Sequence, residues 1–177
     1  SSGAARRTQP CAPVSCGYQF GPVLRTNRKT GEVKNIMPKS KIGQPPLRAN
    51  WMTPYIISQH NHHVLYYGAN ILFKSLDRGD HWTAVSEDLT TEKPYGDVPY
   101  STITTISESP FQPGLLYVGT DDGNVWVTRD EGGKWTNISA SLPDKWVSRV
   151  IASRYQKGRV YVSLTGYRDD DFSTYLY

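Results

Sequence analysis

Two stretches of this chain share one pattern, Ser/Thr-x-Asp-x-Gly-x-x-Trp: Ser75-Leu76-Asp77-Arg78-Gly79-Asp80-His81-Trp82 and Thr128-Arg129-Asp130-Glu131-Gly132-Gly133-Lys134-Trp135. Their aspartates lie 53 residues apart, the length of one four-stranded propeller blade with generous loops. Each copy separates an apolar run (Ile71-Leu72-Phe73, Val125-Trp126-Val127) from a run that opens on the tryptophan (Trp82-Thr83-Ala84-Val85, Trp135-Thr136-Asn137-Ile138). That is a hairpin with a turn longer than two residues. Gly79 and Gly132 supply the positive φ such a turn demands. Asp77 and Asp130 are placed to accept the turn's own amide hydrogens. Trp82 and Trp135 are large enough to close the gap beside the hairpin. The eight residues Ser75, Asp77, Gly79, Trp82, Thr128, Asp130, Gly132 and Trp135 therefore read as structural rather than catalytic.

Outward from these turns, apolar alternation broken by Gly, Pro and Asn marks short strands throughout. Strands are expected near 55–58, 64–68, 71–75 and 82–86, and again near 102–108, 115–119, 124–129 and 135–139. A third unit starts at 147–153 and 159–164 and reaches 173–177. Ahead of them, 18–25 and 32–37 flank a turn at Asn27–Gly31, and 38–50 is a proline-bearing linker. No stretch reads as a helix. The fold class is all-β: a partial β-propeller of about three four-stranded blades. Its parts are a disordered or extended tail (1–17), an outer hairpin and linker (18–50), blades over 51–90 and 91–143, and an incomplete blade over 144–177.

Composition agrees. Fifteen glycines, twelve prolines and 12% aromatic residues in 177 suit a turn-rich β protein. No apolar run is long enough to span a membrane, and no signal peptide is visible at the start. Net charge is +4, but the basic residues alternate with turn residues and form no recognition motif, so no nucleic-acid partner is expected. Cys11 and Cys16 could close a small loop, and two thiols alone make no zinc site. His60, His62 and His63 crowd one turn whose alternate residues splay apart, so no metal is assigned, and no cofactor motif is present.

The twin turns resemble the Asp-box (BNR) repeat of sialidases, sortilin-type Vps10 domains and several glycoside hydrolase families. With Asn50-Trp51-Met52-Thr53-Pro54, Leu116-Tyr117-Val118-Gly119-Thr120-Asp121-Asp122-Gly123-Asn124 and Gly166-Tyr167-Arg168-Asp169-Asp170-Asp171-Phe172, roughly residues 20–177 are similar to bacterial Vps10/sortilin-like proteins labelled glycosyl hydrolases. The resemblance implies a pocket on the face opposite the Asp-boxes and an extracellular or periplasmic location.

Propeller topology assigns the loops of that face: Arg48, Asn50, Trp51, Asn70, Tyr95, Tyr100, Ser101, Asp121, Asp122, Trp146, Arg149 and Tyr167–Asp171. Aromatic rings next to carboxylates and arginines suit a sugar or peptide. Arg48, Trp51, Asn70, Tyr100, Trp146, Arg149 and Arg168 are the candidate ligand-binding residues. The expected function is a binding module for a glycan or peptide. The alternative is a fragment or subunit of a glycoside hydrolase, whose paired carboxylates would come from Asp121, Asp122, Asp169 and Asp170. About three blades do not close a ring, so either the chain is a fragment or copies associate to complete one; self-association is expected.

Overall fold

The computed structural model describes residues 14–91 and 100–177. These form a partial β-propeller of four antiparallel sheets. The first holds β1 (Val14–Gly17), β2 (Val23–Thr26) and β3 (Val33–Asn35). The second holds β4 (Tyr55–Ile57), β5 (Leu65–Gly68), β6 (Leu72–Ser75) and β7 (Thr83–Ala84). The third holds β8 (Ile103–Glu108), β9 (Leu116–Thr120), β10 (Val125–Thr128) and β11 (Trp135–Asn137), and the fourth β12 (Trp146–Ala152), β13 (Val160–Gly166) and β14 (Asp171–Leu176). Among the described residues the only helical element is one 3-10 turn, Tyr167–Asp169. Two complete blades are thus flanked by two three-stranded sheets. The strand at Val14–Gly17 falls in the stretch read above as tail. It pairs along its length with β2, so the N-terminal hairpin belongs to a sheet of its own.

Three cores fill the spaces between successive sheets. Val23, Ile36, Leu65, Tyr67, Ala69 and Phe73 lie between the first and second. Tyr66, Leu72, Ile103, Ile106, Leu116 and Val118 lie between the second and third. Tyr117, Val125, Val127, Val147, Val150, Val162 and Leu164 lie between the third and fourth. Consecutive residues of β5 and β9 serve different cores, which is why Leu65-Tyr66-Tyr67 and Leu116-Tyr117-Val118 are unbroken apolar runs: each of these strands is covered on both faces.

A glycine lies at or next to the end of the second strand of each complete blade, where the next sheet's inner strand passes. A Cβ on Gly68 would stand 2.7 Å from Ile103 Cγ2, and one on Gly119 would stand 2.5 Å from Val147 Cγ1. Gly17 holds the same place against Tyr55, where a Cβ would meet Cε1 at 2.9 Å. Gly17, Gly68 and Gly119 recur at intervals of 51 residues, and that periodicity is what places β1 in the repeat.

The two carboxylate turns are near-identical. Ser75 Oγ accepts the Gly79 N–H at 2.8 Å and donates to Asp77 Oδ1 at 2.8 Å, which also accepts the His81 N–H at 2.9 Å. Thr128 Oγ1 accepts from Gly132 at 2.9 Å and donates to Asp130 Oδ1 at 2.8 Å, which accepts the Lys134 N–H at 2.9 Å. These amide bonds hold both carboxyls below the usual carboxylate range, the backbone N–H of His81 or Lys134 being the largest cause. Arg78 (φ 62) with Gly79 (φ 92), and Glu131 (φ 62) with Gly132 (φ 103), turn left-handed in succession. Each tryptophan then reaches back one sheet: the Trp82 indole N–H donates to the Ile36 carbonyl at 2.6 Å, and that of Trp135 to the Val85 carbonyl at 2.8 Å.

Two glycine substitutions separate backbone strain from crowding. Gly31 (φ +73) has open space where a side chain would go, whereas a Cβ on Gly132 would press into the Val85 carbonyl and side chain. Gly31→Ala is expected to cost about 1 kcal/mol through the left-handed conformation alone, and Gly132→Ala measurably more, as read from urea unfolding midpoints at unchanged m-value.

Candidate functional site

The carboxylate turns join third to fourth strands, so they lie at the end of the blades shared with the β4–β5, β8–β9 and β12–β13 connections. The opposite end carries the β5–β6, β9–β10 and β13–β14 turns and the inter-blade loops. A cleft of about 130 Å³ opens at that opposite end between the third and fourth sheets, lined by Tyr100, Asp121, Asp144, Lys145, Trp146, Thr165, Arg168 and Asp169. It brings together five of the residues picked from the sequence: Tyr100, Asp121, Trp146, Arg168 and Asp169.

Trp146 opens β12 and is half-buried. The guanidinium carbon of Arg168, in the 3-10 turn after β13, stands 4.3 Å from the centroid of its indole, and the Tyr100 ring lies 6.4 Å away, tilted by 49°. Arg168 Nε also donates to the Tyr167 hydroxyl at 3.2 Å. Stacking on one ring and bonding to the next orients the guanidinium at the cleft mouth. Lys145 Nζ pairs with Asp171 at 3.0 Å and Asp169 at 3.7 Å, and the Asp171 bond raises its pKa. The rim is therefore mixed in sign.

Asp121 forms the floor. Its side chain follows directly from β9 and is 1% exposed. Oδ1 accepts the Thr102 N–H at 2.8 Å; Oδ2 accepts the Thr102 hydroxyl at 2.5 Å and the Asn50 Nδ2 at 3.4 Å. Burial outweighs these bonds and pushes its pKa up to about 6. Asp122 turns away into the structure. Its Oδ2 holds the Thr91 N–H at 2.6 Å and hydroxyl at 2.9 Å, while Oδ1 receives the Thr120 hydroxyl and, at 2.9 Å, the Asn124 amide. Asp122 thus ties the β9–β10 turn to the preceding inter-blade loop.

The remaining picks lie outside this cleft. Arg48 Nη2 bonds Asp88 at 2.6 Å and Thr90 at 3.1 Å, Nε bonds the Ser101 carbonyl at 3.2 Å, and Asn70 Nδ2 joins the same Asp88 at 2.7 Å. Burial raises the Asp88 pKa, but the Thr90 and Asn70 bonds and the Arg48 charge bring it below the usual range. Arg48 and Asn70 together tether the loop that leaves β7. Trp51 is half-exposed at the junction of the first two sheets, edge-on to Phe20 at 4.8 Å. Arg149 sits exposed in β12 just past a bulge, opposite Ser163. Asp170 is exposed in a left-handed conformation (φ 54). Tyr95 and Cys11 lie outside the described residues; Cys16 is exposed on β1. Sequence reasoning missed Asp144, Lys145, Thr102 and Thr165. Nothing in the spacing of Pro143-Asp144-Lys145-Trp146 marks the first two as cleft residues.

At the carboxylate-turn end, a larger polar hollow of about 400 Å³ lies among Arg25, Lys34, His63, Arg78 and Asp80. Its charges are mostly spent on one another: Arg25 and Lys34 both pair with Asp80, at 2.9 Å and 2.5 Å. Of the crowded histidines, His62 and His63 keep their rings 4.3 Å apart, while His60 turns elsewhere. His60 Nε2 meets the Ser109 carbonyl at 2.8 Å, and His63 Nε2 faces Arg78 at 3.3 Å. Among the described residues no three His, Cys, Asp or Glu side chains converge to hold a metal ion.

No family model matches the chain, and no curated protein matches it. Among solved structures it is similar to the GH74 xyloglucanase from Xanthomonas campestris, at 20% identity and TM-score 0.59 over 86% of this chain and 24% of that enzyme. The chain thus spans about a quarter of that protein's length, and the likeness shows the propeller fold. Looser likenesses are to YCF48 bound to D1 peptide (13% identity, TM-score 0.46, 82% of this chain and 40% of that one) and to the Niastella koreensis GH74 enzyme (10%, 0.28, 83% and 35%).

The buried floor carboxyl has a pH signature. Its folded pKa, about 6, is above that of an unfolded aspartate, so the folded state binds the proton more tightly. The stability this contributes is complete below about pH 4 and is lost as pH rises through about 6, a change of roughly 3 kcal/mol. Asp121→Asn lacks that titration. Wild type is therefore expected to lose stability relative to the variant between pH 4 and 7 in urea unfolding, and a constant difference across that range would refute the assignment.

Proposed function

We propose that this arc is a binding module of Asp-box propeller type, and that the cleft between its third and fourth sheets takes one terminal residue of a glycan or peptide. The observation that carries the proposal is the grouping of Trp146, Arg168 and Tyr100 over the Asp121 carboxyl at the end opposite the carboxylate turns. An indole and a guanidinium held over it offer an apolar surface and a fork of N–H donors, the pair of surfaces that sugar rings and peptide termini match. Size sets the ligand's extent: the cleft is well below the roughly 300–1,000 Å³ of sites that engulf a drug-sized molecule. The finer identity, an Asp-box arc of the Vps10/sortilin-like kind, is supported by the two hydroxyl–carboxylate–glycine–indole turns and their spacing. Glycans are the class to try first, because the xyloglucanase that shares the fold acts on one.

A glycoside hydrolase subunit is the second reading, favoured by the raised pKa of Asp121 in a cleft shared with Asp169. Against it, both oxygens of Asp121 receive hydrogen bonds from Thr102 and Asn50 and the side chain is almost fully covered, which suits a fixed acceptor better than a proton donor to a substrate. Calorimetric titration with a panel of oligosaccharides and short peptides, run beside a reducing-sugar assay, separates the two. Saturable binding without turnover is expected, weakened about tenfold or more by Trp146→Ala or Arg168→Ala and unaffected by Arg149→Ala. Binding that ignores Trp146 and Arg168 would refute the module. Turnover abolished by Asp121→Asn would establish the hydrolase.

A further inference from the structure

The polar hollow at the carboxylate-turn end lies between the first two sheets, and the next junction along the chain shows how such a place is neutralised. Val23 and Leu72 each accept the N–H of the residue that follows the outer strand, Ile36 and Val85. Arg25 and Lys74, two residues further along β2 and β6, are therefore counterparts. At the second junction Lys74 reaches across to Glu131 of the following turn at 2.6 Å, and the residue opposite it in the ladder is the uncharged Thr83. Glu131 stands, at φ 62, in the motif position that Arg78 holds at φ 62 in the first turn. One cation there meets one anion.

The first junction is different. Arg25 is opposed across the ladder by Lys34, a like-charged pair that works against the pairing of β2 and β3. Both lean on a single carboxylate, Asp80, at 2.9 and 2.5 Å, and lower its pKa, the Arg25 bond most. A third cation, Arg78, takes the place of the acid. Its guanidinium meets no carboxylate among the described residues, and Nη2 faces His63 Nε2 at 3.3 Å. Arginine only donates, so that ring nitrogen is an unprotonated acceptor and the imidazole is neutral. Asp77 also lines the hollow, but its oxygens serve the Ser75 hydroxyl and the amide and ring of His81. Glu32 stands exposed at the rim.

We propose that this hollow binds a tetrahedral oxyanion, sulfate or phosphate, either free or as the ester of a sugar. The Arg78 guanidinium supplies a fork of N–H donors matched to two of the oxygens, and the Lys34 ammonium a point charge with N–H groups beyond the one given to Asp80. At about 400 Å³ the hollow admits the ion together with a ring that carries it. The site lies at the opposite end of the blades from the Trp146 cleft and between a different pair of sheets, so it stands or falls independently of the function proposed for that cleft.

Calorimetric titration of the whole chain with sodium sulfate and with glucose 6-sulfate, at an ionic strength held constant with chloride, tests it. Saturable binding is expected. Tighter binding of the ester than of the inorganic ion would support a sulfated sugar as the ligand, and equal binding the free ion. Arg78→Glu installs the acid that the second turn already carries at the same φ, and should weaken binding about tenfold or more through loss of charged hydrogen bonds. Lys34→Thr copies Thr83 and should weaken it severalfold; circular dichroism checks that each variant is folded, and either folded variant suffices. Lys134→Ala, which removes an exposed cation from the second turn, should leave binding unchanged. No saturable heat with either anion, or affinity that survives in the folded Arg78 and Lys34 variants, would overturn the proposal. So would an equal weakening by Lys134→Ala, because the effect would then be one of general charge.

Discussion

Every junction between the first three sheets is held by a tryptophan that belongs to one blade and bonds the backbone of the blade before it. A sheet in this arrangement has two faces to bury, and side-chain packing alone leaves it free to slide. The indole fixes the slide, because its single N–H has one direction and one acceptor: Ile36 for Trp82, Val85 for Trp135. The hydroxyl and carboxylate of the same turn take up the amide groups that a tight double left-handed bend would otherwise leave without partners. The acidic residues most visible in the sequence therefore serve geometry, and their depressed pKa values follow from amide bonding rather than from any role in turnover.

The opposite end is built on a different economy. There the inter-blade loops are long, their polar groups are drawn inward, and acidic side chains join one loop to another. Asp88 gathers Arg48 and Asn70, Asp122 gathers Thr91, Thr120 and Asn124, and Asp121 gathers Thr102 and Asn50. No buried side-chain nitrogen or oxygen among the described residues lacks a partner. Around Trp146 this packing opens into a cleft, where a buried carboxyl, an aromatic ring and an exposed guanidinium meet.

The fold was legible because its signals are local: the turn motif, its spacing, and the apolar runs on strands covered on both faces. β1 was not, because Val14-Ser15-Cys16-Gly17 is short and nearly bare of large apolar residues; its place is set by pairing with β2 and by Gly17 beneath the Tyr55 ring, contacts between distant parts of the chain. The candidate site was legible by loop but not by side chain. Topology put Arg48, Asn70 and Asp122 at the correct end, yet whether a polar side chain there turns outward or ties its neighbours together depends on partners 18 to 42 residues away. Asp144 and Lys145 escaped notice for the converse reason: nothing in their spacing distinguishes a charged pair at a cleft wall from one in solvent.

The indole contacts point one way only, from each blade back to its predecessor. During synthesis from the N-terminus, then, a blade leaving the ribosome would meet an indole acceptor already made, while the indole bond of a finished blade would not depend on one yet to be made. Such directionality lets the layers assemble in the order in which they are translated, each newcomer latching onto the last and shielding its apolar side before the following one appears.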